Sequence, residues 1–158
     1  MDAALPLTPE PALAPTRATL PSDLPVVQLR HRGVTLDRLP ALFDAGYAVL
    51  ARLGPIGPGF AIYDGEVTAT FDLTIGFPVA GPPQAVPADV EYASFPAGEA
   101  LLLSHLGPYD TLPAAWDRLA TAAAEQDLRI TRAVEVYVSD PTATAPADLR
   151  TDLVAILG

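Results

Sequence analysis

The chain repeats itself, and this limits the folds open to it. Residues 39–44 read LPALFD and residues 112–117 read LPAAWD. A His-x-Gly precedes each copy, His31-Arg32-Gly33 and then His105-Leu106-Gly107. A tyrosine follows each, Tyr63 in GFAIYDG and Tyr137 in AVEVYVSD, and Asp72-Leu73 answers Asp152-Leu153 further on. Aligning the tyrosines sets Glu135 against Ala61. This predicts two half-size modules around a cleft in which one half supplies an unmatched carboxylate.

Periodicity gives the elements of each module. Residues 26–30 are a β-branched strand, and Leu36, Leu39, Phe43, Leu50 and Leu53 form a helical stripe. Pro40 falls in the first turn of that helix, where backbone donors lack intrahelical acceptors, and the run GPIGPG at 54–59 ends it. Residues 60–64 and 67–79 read as strands joined at Asp64-Gly65, with Phe71, Leu73, Ile75 and Phe77 on one face. In the second half, strands are predicted at 90–95 and 99–105, and a helix from 111 to about 126 capped by Asp110. Strands at 133–139 and 151–157 close the chain. Each half is strand–helix–strand–strand, an α+β fold in which an antiparallel sheet carries two helices and a central cleft. The predicted organisation is a disordered Pro/Ala-rich tail over 1–24 and one domain over 25–158, with modules at 25–80 and 89–158 around an internal linker.

Composition excludes several functions. The chain has nine arginines, no lysine and a net charge of −10, so it lacks the basic footprint that nucleic-acid binding needs. Without cysteine there is no disulfide, thiolate catalysis or thiolate-held metal, and a zinc site would need both histidines plus carboxylates, which nothing in the spacing supports. No cofactor is called for. The amino-terminal residues resemble neither a signal peptide nor a membrane span, which predicts a cytoplasmic protein.

Strand alternation puts Val134, Val136 and Val138 on one face and Glu135 and Tyr137 on the other. The valines suit packing under the helices, leaving Glu135 and Tyr137 facing the groove or water. If the halves are symmetric, Tyr63 and Tyr137 meet across the groove beside Glu135, with Ala61 leaving room opposite. A carboxylate among aromatic rings is a receptor for a lipophilic cation, because ring faces attract positive charge and a half-buried Glu needs a partner. The other reading of Glu135 is a solvent-facing strand residue. Trp116 reads as core, Phe77 and Tyr109 as core or cleft wall, and His31, His105, Asp72 and Asp152 as structural pairs.

The ordered set GPGFAIYD, FDLTIGFPV, SFPAGEALLLSHLGPYDTLPAAWDRLATAAAEQDL, VEVYVSDP and LRTDL resembles the GyrI-like small-molecule-binding family, over about residues 26–157. That family also supplies effector domains of AraC- and MerR-type multidrug regulators. The resemblance implies a double-module fold whose cleft accepts hydrophobic, often cationic, drug-like molecules. It maps a cleft-floor glutamate onto Glu135 and aromatic walls onto Tyr63 and Tyr137, and more loosely onto Phe77, Tyr109 and Trp116. Many relatives place Trp directly before the Glu, where this chain has Val134. No DNA-reading segment is evident. Some stand-alone relatives hydrolyse cyclopropane-bearing genotoxins, and here Glu135 and Tyr137 would be the acid/base pair. Gyrase inhibitors, acting by protein contact, and a haem-binding relative are further members of the family.

Overall fold

Alternating apolar residues fold into eight strands in the computed structural model, which describes residues 5, 7–64 and 70–158. The first half contains β1 (Thr16–Leu20), β2 (Pro25–Val34), α1 (Leu39–Leu50), β3 (Phe60–Asp64) and β4 (Phe71–Pro78). The second contains β5 (Glu91–Ser94), β6 (Gly98–Leu106), α2 (Leu112–Glu125), β7 (Ile130–Tyr137) and β8 (Arg150–Leu157). The 64–65 turn and the start of the strand predicted at 67 lie outside the described residues. No helix among the described residues is long and apolar enough to cross a membrane.

Both helices carry proline in their first turn, where the missing N–H costs nothing. Gly54, at φ +73°, ends the helical segment after α1. Asp127, at φ +54°, ends α2, and Leu128 N–H returns to the Ala123 carbonyl at 2.8 Å. Asp110 does not cap α2. It sits in a 3-10 turn at Tyr109–Thr111, and no side chain caps the helix that follows.

All strand pairs are antiparallel, in the order β1-β6-β8-β7-β3-β4-β2-β5. The segments β2-α1-β3-β4 and β6-α2-β7-β8 take mirrored places and meet at β3–β7. The edge strands are exchanged: β1 precedes the first module but pairs with β6, and β5 precedes the second but pairs with β2.

Register locates the approximate two-fold axis. Ala61 and Glu135 are direct cross-strand partners as well as equivalents in the repeat, so the axis passes between them. Ala61 also pairs with Ile75 and Glu135 with Leu153, which makes Ile75 equivalent to Leu153. The equivalent of Asp152 is therefore Thr74, and the Asp72–Asp152 pairing expected from the motif is two residues out of register. The two carboxylates also differ in use. Asp72 accepts from Gly33 N–H, whereas Asp152 is buried against Ser104 and Arg150.

Both helices lie on one face of the sheet. Leu39, Phe43, Tyr47 and Leu50 of α1 pack over Leu29, Leu73 and Ile75, while Leu112, Ala115 and Leu119 of α2 pack over Leu101, Leu103 and Leu153. Among the described residues the other face bears no helix. Val134 and Val136 point there, against Phe60, Ile62, Phe95 and the amino-terminal Leu5, Leu20 and Leu24. The valines therefore do not pack under the helices as expected. The Glu135/Tyr137 face is the helix-bearing one.

The amino-terminal segment covers that second face, which corrects the expectation of a disordered tail through residue 24. β1 completes the edge of β6, and Leu20 and Leu24 are buried. The Ala12 carbonyl accepts from Ser104 N–H, Ala12 N–H donates to the Ser104 hydroxyl, and Arg150 donates to the carbonyls of Thr8 and Pro9. An open apolar sheet face and an unpaired edge need cover, and proline fits the extended cover strand because few of its N–H groups are required. Residues 1–4 and 6 of the expected tail lie outside the described residues.

Candidate functional site

Between α1 and α2, above the β3–β7 seam, lies an open cleft of about 880 Å³. Across the seam a small residue stands opposite a large one, Ala61 against Glu135 and Ala133 against Tyr63, and Gly59 lines the cleft beside them. Gly59 keeps this space open: a Cβ would stand 3.0 Å from the Tyr47 ring and 3.2 Å from the Phe77 ring, so both rings would have to give by a few tenths of an ångström. Glu135, next to the two-fold axis, rises from the floor through this gap.

Neutral donors hold both carboxylate oxygens. Trp116 Nε1–H donates to Oε2 at 2.9 Å and the Tyr137 hydroxyl donates to Oε1 at 2.8 Å. Among the described residues no arginine or histidine lies within ion-pair distance of Glu135. Its negative charge is oriented but not neutralised.

The walls are aromatic. Tyr109, Tyr137, Phe43, Tyr47 and Phe77 form an unbroken chain of ring contacts, with successive centroids 6.0, 6.1, 5.7 and 5.2 Å apart. All four contacts are tilted or edge-on, the favoured arrangement for rings carrying a quadrupole. Tyr47 is fixed by donating its hydroxyl to the Phe60 carbonyl. Burial pushes the phenols of Tyr47, Tyr63 and Tyr137 well up from the ordinary range, and the charge of Glu135 adds to the shift. Tyr109 shifts the same way, through burial, Glu135 and Asp140. All four therefore stay neutral, as hydroxyl donors and ring faces around one anion.

Of the residues predicted from sequence, Glu135, Tyr137, Tyr63, Phe77 and Tyr109 line the cleft. Trp116 does not line it. Its ring packs with the α2 core and reaches the site only through the hydrogen bond to Glu135. Val134 is fully buried on the opposite face, so a ring at that position would point away from the cleft. Neither histidine lines the cleft. His105 Nε2 meets the Pro108 carbonyl and the Thr111 hydroxyl, the strand-end role expected of it, whereas His31 Nε2 is buried without a partner. Sequence reading missed Phe43 as a wall residue, Tyr47 and the rim residues Asp44 and Asp140. The signal was present for Phe43 and Tyr47, which stand four apart on the helical stripe.

The family profile of the GyrI-like small molecule binding domain matches residues 18–155. The chain belongs to this family. This GyrI-like domain is similar in fold to the C-terminal domain of EcmrR, with a TM-score of 0.76 at 16% identity over 91% of this chain and 96% of that one. It is similar to SAV2435, solved bound to tetraphenylphosphonium, with a TM-score of 0.66 at 10% identity over 92% and 94% of the two chains. A hydrolase from Listeria innocua matches with a TM-score of 0.67 at 15% identity over 94% and 93%. At such identities the likeness establishes the fold. No protein of curated function matches the chain.

Proposed function

We propose that this GyrI-like domain is a receptor for lipophilic cations, with Glu135 as the counter-charge on the cleft floor and Tyr63, Tyr109, Tyr137 and Phe77 as walls. The observation carrying this reading is the carboxylate held at both oxygens by neutral donors, without a basic partner, inside a ring of neutral aromatics. Such a group has lost part of its hydration and gained no opposite charge, so a bound cation supplies the missing interaction. Ring faces add attraction of up to about 2 kcal/mol where the cation is desolvated. The cleft volume also suits drug-sized molecules. A net charge of −10 favours a small cation over a nucleic-acid backbone as partner. Tetraphenylphosphonium, which SAV2435 holds, is the first ligand to titrate. Saturable binding that weakens in Glu135→Gln supports the proposal, and no binding by either form rejects it.

One contact favours a second reading. The Tyr137 hydroxyl donates to Glu135 at 2.8 Å, an acid/base pair in which Glu135 would take a proton from water as it attacks a strained ring carbon, and Tyr137 would give a proton to the conjugated carbonyl oxygen that receives the electron pair of the breaking carbon–carbon bond. Under this reading the chain hydrolyses a strained lipophilic substrate, a cyclopropane-bearing genotoxin among them. Product formed by wild type and lost in Glu135→Gln separates this reading from simple binding.

A further inference from the structure

Among the described residues three carboxylates line the cleft and no basic side chain does: Glu135 on the floor, Asp44 on α1 and Asp140 in the loop after β7. They stand at different depths. Glu135 is half-buried, whereas Asp44 and Asp140 are exposed at the rim. None of the three is ion-paired among the described residues. Asp140 is fixed in place, with Oδ1 accepting from Thr142 N–H at 2.9 Å and from the Thr142 hydroxyl at 2.7 Å. Those bonds hold its carboxyl below the ordinary range, so it stays charged at neutral pH. Tyr109 links the two levels, since its phenol feels the negative charge of both Glu135 and Asp140. The chain of aromatic rings lines the same cleft as the three carboxylates.

A singly charged ligand answers only the floor. Resting on the cation-receptor reading above, we propose that the cleft prefers dications: elongated molecules with one positive centre over Glu135, an apolar middle against the rings, and a second positive centre at the rim between Asp44 and Asp140. The cleft's volume, about 880 Å³, lies in the upper part of the span for small-molecule sites. The rim carboxylates are solvated, so their attraction is modest and depends on salt.

The test compares p-xylylene-bis(triphenylphosphonium) with benzyltriphenylphosphonium, its singly charged half, by calorimetry on the full chain. At low salt the dication should bind roughly 3- to 10-fold tighter than the monocation, the scale of two exposed ion pairs. Two controls separate charge from the extra apolar area. The ratio should fall to within about twofold of unity at 1 M salt, where the Debye length is about 3 Å. It should fall likewise in the double variant Asp44→Asn/Asp140→Asn, in which the amide introduced at position 140 keeps a carbonyl oxygen for Thr142. A ratio near one in wild type at low salt, or one retained in the double variant, overturns the dication proposal and leaves the receptor reading intact. Failure of both compounds to bind overturns both.

Discussion

Replacing Glu135 with glutamine removes one charge from the cleft while almost preserving its shape. A phosphonium centre seated over the floor would stand about 5 Å from the carboxylate, where an effective dielectric of about 20 gives about 3 kcal/mol of attraction. The cleft opens to water and the cation loses hydration on entry. These offset part of the gain and leave about 1.5–2 kcal/mol, equivalent to roughly 10- to 30-fold in Kd. The hydrogen bonds show why the fold should tolerate the change. Trp116 Nε1–H can only donate, so it must keep the amide oxygen, while the Tyr137 hydroxyl can turn and accept from the amide NH₂. The stability cost is then about 1 kcal/mol, no more than about 4 °C in Tm for a chain of this size. Trp116 is the only tryptophan and it touches Glu135, so its fluorescence provides the titration signal. Tetraphenylphosphonium should bind Glu135→Gln at least about tenfold more weakly, with little change for an uncharged triaryl analogue. Equal affinity of wild type and variant for the cation, in a variant that melts normally, would refute the reasoning.

Other consequences follow from the same contacts. Trp116→Phe keeps the packing on α2 but removes the donor to Glu135 Oε2; binding should weaken a few-fold and stability fall by about 1–2 kcal/mol, read by calorimetric titration and by urea denaturation followed by circular dichroism. The buried phenols make stability depend on alkaline pH. Their folded-state values are raised, so their contribution is complete below the ordinary tyrosine value near 10 and is lost as pH rises through the higher folded values. Tyrosinate absorbance of the native protein should therefore lag behind that of the urea-unfolded chain, and coincident curves would count against the buried cluster. Arg150→Leu leaves the buried carboxyl of Asp152 beside Ser104 without its guanidinium partner and frees the carbonyls of Thr8 and Pro9. It should cost about 3 kcal/mol or more and speed proteolysis before residue 16, checked by denaturation and limited digestion.

Local patterns carried the elements well. Period-two alternation placed Phe71, Leu73, Ile75 and Phe77 on one face and set β3 at residues 60–64, as observed. The same alternation put Glu135 and Tyr137 on one side, and both line the cleft. Features that depend on pairing across distance were hidden. β1 looked like a proline-rich tail because its partner, β6, lies about eighty residues away and supplies the edge that orders it. Asp72 and Asp152 looked equivalent because motif counting ignores the unequal β3–β4 and β7–β8 connections, whereas register does not. The helix-free side was misassigned because alternation separates two faces without saying which one the helices cover. Trp116 read as core and is core, but its indole N–H meets Glu135 by tertiary placement that no sequence spacing encodes.

The most direct measurement is a crystal structure of the protein soaked with tetraphenylphosphonium. Phosphorus is expected above the Glu135 carboxylate, with aryl rings against Tyr63, Tyr109 and Phe77. Density for the cation outside the cleft, or inside it but turned away from Glu135, would contradict it.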